Sequence, residues 1–197
     1  MQWEQVKNET CSHIYEKLAS VFVFFLLLLS ASVFADQNDV RLAELFRSLK
    51  STESVSRASV FESKIWHIWM EHNDPEVESA MFQGVEAMKL QQFEQAFGHF
   101  SLLIRLAPDY AEGWNKRATV LYLMGRFEES EADVMRTLEL EPRHFGALSG
   151  QGLIRIALHD WTGAIYFLES ALKINPHMHG VIMNLKYARQ KQKESMT

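Results

Sequence analysis

The sequence predicts an all-α protein in which helical hairpins stack on one another as an α-solenoid. The first observation is that Pro108, Pro142 and Pro176 are evenly spaced, with a period of about 34 residues. The second is that apolar residues within each unit recur at spacings of three and four on both sides of a short break, as in two helices joined by a turn. The third is that four further sets of positions repeat their side-chain type in the same phase: Phe93, Phe127 and Trp161; Gly84, Ala118 and Gly152; Ala96, Ser130 and Ala164; Leu106, Leu140 and Ile174.

Residues 1–35 have the pattern of a signal peptide. Leu18 to Ala35 is an uncharged run, and Val33 and Ala35 are small or medium residues at the positions that signal peptidase reads before Asp36. We therefore expect cleavage after Ala35 and export to the periplasm. The alternative is a retained inner-membrane anchor, because 18 uncharged residues at about 1.5 Å each span roughly 27 Å, close to the thickness of a bilayer core.

Composition narrows the function classes. The 197 residues carry a formal net charge of −5, and no basic stripe precedes the C-terminal end, so we expect no nucleic-acid partner. Cys11 is the single cysteine and lies in the leader, which excludes an internal disulfide and a cysteine-based zinc site. A globular binding or structural protein fits these limits better than a large enzyme.

Residues 36–76 contain two amphipathic segments that precede the repeats. They do not continue the phase of the repeat, because Lys50 and Glu62 would fall where small residues are required. We predict a capping helical hairpin in which Trp66 and Trp69 cover the first repeat. A separate aromatic binding site is the alternative for this tryptophan pair.

The repeated units are 77–110, 111–144 and 145–178, and residues 179–197 are predicted to form a solvating C-terminal helix. The small residues at two columns would let paired helices approach, and each proline would end a second helix. On these features the chain resembles tetratricopeptide-repeat (TPR) proteins. The residues that carry the resemblance are Gly84, Ala96, Phe100 and Pro108; Trp114, Ala118, Gly125, Phe127 and Pro142; Gly152, Trp161, Ala164, Leu168, Ala171 and Pro176.

The resemblance implies a right-handed superhelix whose first helices line a concave groove, where a peptide or partner protein would bind. Some TPR proteins clamp a C-terminal carboxylate there with several cations, but Gly146, Ser149 and Gly150 stand where the third unit would need them. The groove could instead be filled by residues 36–76. The candidate groove residues are Met81, Val85, Lys89, Asn115, Lys116, Thr119, Tyr122, Ser149 and Leu153.

Catalytic and metal sites are not predicted. The histidines of the mature chain lack the three- or four-residue spacing of a helical metal site, and no glycine-rich phosphate loop or nucleophile motif is present. We therefore expect no enzyme activity, no cofactor and no bound metal.

The stretches 109–118 and 141–150 resemble exported TPR proteins of Gram-negative bacteria. The function predicted is non-catalytic binding of a peptide or protein in the cell envelope, with a membrane-anchored structural scaffold as the alternative.

Overall fold

The computed structural model describes residues 36–196, which form nine helices and no strand. The predicted leader, residues 1–35, lies outside the described residues. No helix within residues 36–196 is both long enough and apolar enough to cross a bilayer. The helices are α1 (Arg41–Ser51), α2 (Val55–Met70), α3 (Pro75–Lys89), α4 (Phe93–Leu106), α5 (Ala111–Leu123), α6 (Phe127–Leu140), α7 (Phe145–Ala157), α8 (Trp161–Ile174) and α9 (His179–Glu194).

Helices α3 to α8 are three consecutive hairpins, one in each predicted unit, and α9 packs against α8. The small residues of the repeat allow the two helices of a hairpin to touch. A Cβ at Gly84 would lie 2.7 Å from Cζ of the buried Phe100, and a Cβ at Gly152 would lie 2.6 Å from Cγ of Leu168. Such distances leave no room for a side chain, so the prediction of close helix approach at this column is confirmed.

The turn inside each hairpin uses a residue in the left-handed region. Gln91 and His159 have φ of 57° and Gly125 has φ of 74°, and the three residues occupy the same position of successive units. Each turn closes with the same pair of backbone hydrogen bonds, for example Gln92 N–H to the Ala87 carbonyl at 2.8 Å and Gln91 N–H to Met88 at 2.9 Å. This is the Schellman pattern, which satisfies the last carbonyls of a helix.

Apolar packing and a hydrogen bond join the first and second units. Gly113 on α5 admits Leu103 of α4, since a Cβ there would overlap the leucine side chain. Arg117 on α5 donates to the Ser101 hydroxyl of α4 at 3.3 Å, and a two-pronged ion pair with Asp133 of α6, at 2.7 and 2.8 Å, fixes its side chain within its own unit. In the first unit, the positions equivalent to Gly113 and Arg117 are Ser79 and Gln83, which are exposed and hydrogen-bonded to each other. At these two positions the free end of the stack is therefore polar, which suits a terminal repeat that no further unit covers.

The N-terminal hairpin, α1 with α2, does not cover the first repeat, so the predicted packing of its tryptophans is wrong. Trp69 stacks on the ring of His144 with centroids 4.1 Å apart and planes 8° apart. Trp66 meets Phe145 edge to face at 5.4 Å. Both partners stand where the second unit passes into the third. The hairpin therefore lies along the edge of the stack where one repeat passes into the next.

Three successive repeat junctions contact this hairpin. Tyr110, between the first and second units, donates its hydroxyl to the Trp69 carbonyl at 2.7 Å. His144, between the second and third, is the residue stacked on Trp69. Asn175, at the end of the third unit, donates its amide to Glu62 at 3.1 Å. One hairpin thus links units that otherwise contact only their neighbours.

The glycines of the first helices offer a test of the packing. Replacing Gly84 by Ala forces the Phe100 ring to move, and we expect the free energy of unfolding to fall by about 1–2 kcal/mol despite the better helix propensity of alanine. A Cβ at Gly150 of α7 would meet nothing within 4 Å. Gly150→Ala should therefore raise stability by roughly 0.5–1 kcal/mol. Urea denaturation of both variants measures the difference, and equal effects at the two positions would contradict this packing.

Candidate functional site

The first helices of the second and third units, α5 and α7, lie side by side and enclose an open cavity of about 180 Å³. We call this cavity the α5–α7 groove. All its lining residues come from α5, α6 and α7, so residues 36–76 do not fill it. They are Asn115, Ala118, Thr119, Tyr122, Ser130, Val134, Gly146, Ser149, Gly150 and Leu153.

The structure brings together five of the nine candidate groove residues: Asn115, Thr119, Tyr122, Ser149 and Leu153. Lys116 lies beside the groove but is engaged by other side chains. The three candidates from the first unit lie elsewhere. Met81 is only 5% exposed and Val85 packs against the same core, while Lys89 is exposed and paired with Glu86 at 2.6 Å. Whether any of the nine contacts a partner stays a prediction.

Missing side chains create the groove. Gly146 and Gly150 stand one helical turn apart on α7, and both line the cavity. The floor is formed by Ala118, Ser130 and Val134, all buried. Ser130 donates its hydroxyl to the Ala118 carbonyl at 2.7 Å, which satisfies that hydroxyl within the protein. The cavity therefore has an apolar floor with hydroxyl and amide groups around it.

Beside the groove, Glu112 is a buried carboxylate whose side chain is only 1% exposed. Its Oε1 lies 2.9 Å from Nζ of Lys116, an ion pair one helical turn apart on α5. Its Oε2 accepts a hydrogen bond from Nδ2 of Asn115, also at 2.9 Å. The Lys116 ammonium in turn lies 5.5 Å from the centroid of the Trp66 ring. The cation nearest the groove is therefore neutralised within the protein and partly covered by the hairpin.

His144 connects this carboxylate to the N-terminal hairpin. Its Nδ1 accepts the backbone N–H of Ala147 at 3.0 Å, which caps the start of α7. Because Nδ1 is an acceptor, the ring proton is on Nε2, which donates to Oε2 of Glu112 at 2.9 Å. The ring face is covered by Trp69. Glu112, His144 and Trp69 thus form a continuous path from the groove to α2.

The environment of Glu112 controls its charge. Burial by itself would raise the pKa of this carboxyl, but the Lys116 ammonium and the hydrogen bond from His144 outweigh it and lower the pKa to about 2. Glu112 is therefore ionised throughout the physiological pH range.

No group of three or more His, Cys, Asp or Glu side chains within residues 36–196 is arranged to hold a metal ion.

Sequence reasoning missed His144 as a structural residue and missed the small residues of the groove floor. One signal for His144 was present, because Tyr110, His144 and Met178 occupy the same position of successive units and all three contact or pack near the hairpin. At positions 146 and 150 the sequence indicated only that cations are absent. In the structure Gly146 admits the ring of Trp66, and Gly150 leaves the groove open.

The lowered pKa of Glu112 makes a contribution to stability that depends on pH. A carboxyl whose pKa is depressed by folding stabilises the protein above its unfolded pKa, and that stabilisation is lost as pH falls. The free-energy difference between the wild type and Glu112→Gln should thus shrink by roughly 3 kcal/mol at most between pH 4.5 and pH 2. Denaturant titrations at several pH values measure it. A difference independent of pH would mean that Glu112 is not held ionised by its neighbours.

No family model matches the chain. A TPR repeat-containing protein of Rhizobium etli is 36% identical to it over 114 residues, which cover 58% of this chain and 56% of that relative. The chain thus spans little more than half the length of this curated relative.

Solved structures share the fold. The Sgt2 TPR domain from Aspergillus fumigatus matches with a TM-score of 0.60 at 21% identity, over 62% of this chain and 82% of that domain. The first TPR of Spaghetti (RPAP3), bound to the HSP90 peptide SRMEEVD, matches with a TM-score of 0.59 at 19% identity, over 60% and 94%. With its evenly repeated helical hairpins and these likenesses, the chain has the fold of a tetratricopeptide-repeat solenoid.

Proposed function

We propose that this protein is a non-catalytic binding module that holds a peptide segment of a partner protein in the α5–α7 groove. The observation that carries the proposal is the groove itself, an open cavity on the face of two neighbouring first helices. A side chain entering it would bury apolar surface against Ala118 and Val134. The amide of Asn115 and the hydroxyls of Thr119 and Ser149 lie around the same space.

The chemistry of the groove favours an uncharged, extended segment. An extended peptide needs apolar pockets for its side chains and polar groups for its backbone. The lining residues supply both, and none of them carries a charge. Lys116 is already neutralised by Glu112. A charged ligand side chain would therefore lose its hydration without gaining a partner.

The fold relatives support a peptide ligand as the general class, because the TPR domain of Spaghetti (RPAP3) binds the HSP90 peptide SRMEEVD. For the present chain, the kind of segment that the groove binds can be found by selecting binders from a library of peptides. Random peptides of about a dozen residues, displayed through their C-terminal ends so that no free carboxylate is offered, are the appropriate probe.

Filling the groove should abolish binding of peptides selected in this way. Gly150→Leu places a side chain in the cavity, and a Cβ at this position meets nothing within 4 Å, so the fold should be retained. We expect affinity to fall at least tenfold, measured by fluorescence anisotropy with a labelled selected peptide.

The matched control is Gly98→Leu on α4, where a Cβ also meets nothing within 4 Å and which does not line the groove. It should bind as the wild type does. Equal affinities of the two leucine variants would exclude the α5–α7 groove as the binding site.

We also propose that the protein acts in the cell envelope, with Asp36 as the mature N-terminus. The uncharged run from Leu18 to Ala35 supports export. Immediately after it, Gln37 bridges the start of the second repeat, donating to the Asp109 carbonyl at 2.6 Å and accepting from Ala111 N–H at 3.2 Å. The segment that follows the predicted cleavage site thus has specific contacts of its own in the fold.

N-terminal sequencing of protein purified from its native cells tests this proposal. We expect a first residue of Asp36, because Val33 and Ala35 match the positions that signal peptidase reads. A mature protein that retains residues 18–35 and fractionates with the inner membrane would instead favour the membrane-anchored structural scaffold.

A further inference from the structure

Asn115 and Lys116 are the groups beside the groove that could hold a ligand carboxylate, and both are occupied by a carboxylate of the same chain. Lys116 Nζ is 2.9 Å from one oxygen of Glu112, and Asn115 Nδ2 is 2.9 Å from the other. An ammonium and an amide converging on two carboxylate oxygens is the arrangement expected of a bound terminal carboxylate. Here the bound group is a side chain.

We propose that Glu112 is an internal substitute for a ligand carboxylate. Because of it, the groove would recognise an uncharged internal segment of a peptide and not its C-terminal carboxylate. This inference rests on the proposed function, since it concerns the ligand of the same groove. Glu112 would therefore be a specificity-determining residue.

Two features hold the Glu112 carboxylate in this position. The Glu112 side chain is 1% exposed, and His144 holds it by a third contact, from Nε2 at 2.9 Å. His144 is itself fixed by the N–H of Ala147 and by the Trp69 ring. A ligand carboxylate can therefore displace Glu112 only by breaking the network that joins α5, α7 and the N-terminal hairpin.

Electrostatics acts in the same direction. A second carboxylate near Lys116 and Asn115 would lie within a few ångströms of an ionised Glu112, and like charges at that separation repel strongly where water is scarce. The part of α7 that lines the cavity supplies no compensating cation, because Gly146, Ser149 and Gly150 occupy it. Uncharged segments avoid this repulsion altogether.

The test compares two probes, the peptide SRMEEVD with a free C-terminal carboxylate and the same peptide with a C-terminal amide. Each is labelled at its N-terminus, and its affinity is measured by fluorescence anisotropy. The ratio of the two affinities reports recognition of the terminal carboxylate alone. The wild type should show no preference for the free acid, whether it binds both peptides weakly or neither.

Glu112→Gln keeps the side-chain shape and releases the charge of Lys116, so this variant should bind the free acid at least tenfold more tightly than the amide. Glu141→Gln is the matched control, because Glu141 is also a buried carboxylate paired with a cation, Arg143, at 2.6 Å, and does not line the groove. It should behave as the wild type does.

Two results would overturn the inference. One is a folded Glu112→Gln protein, verified by circular dichroism, that binds the free acid no better than the amide. The other is a wild type that prefers the free acid, which remains decisive even where the variant does not fold. A failure of the proposed function would give a different result, because the wild type would then bind none of the uncharged displayed peptides.

Discussion

The packing of the N-terminal hairpin across the repeat junctions is the constraint on which the rest of this structure depends. A stack of helical hairpins is stabilised by contacts between neighbours, so its twist is set one interface at a time. Here the hairpin contacts Tyr110, His144 and Asn175, one at each of three successive junctions. The aromatic stack of Trp69 on His144 is the centre of this contact. The repeats are thereby held in one arrangement by an element that does not itself repeat.

The same histidine shows how structure and site are connected. One ring nitrogen caps α7, the other holds Glu112, and the ring face carries Trp69. The cap requires an acceptor at Nδ1, so the ring nitrogen that donates to Glu112 is Nε2. Glu112 then positions Asn115 and Lys116 at the edge of the groove. The charge at the edge of the α5–α7 groove is therefore decided by a network whose other end is the N-terminal hairpin.

The groove is confined to the second and third units for reasons of side-chain size. In the first unit the equivalent helix face is used for the core, with Met81 buried and Val85 packed beside it. In the third unit Gly150 leaves α7 bare, since a Cβ there would meet nothing within 4 Å, and the space between α5 and α7 stays open. At Gly146 that space is bounded by Trp66, since a Cβ there would lie 2.6 Å from Cη2 of the indole. The hairpin thus borders the groove without entering it.

The sequence by itself determined the helices, the hairpin turns and the order of the repeats, because these depend on contacts between residues close in the chain and recur in every unit. It also identified Asn115, Thr119, Tyr122, Ser149 and Leu153 as groove residues, since the repeat phase assigns one helix face to that surface. Only the tertiary structure decided where the N-terminal hairpin lies and that Glu112 is buried against His144. The hairpin occurs once, so no period reports its partners, and the contact of Glu112 with His144 joins residues 32 positions apart. Contacts of that kind arise only when the whole stack is assembled.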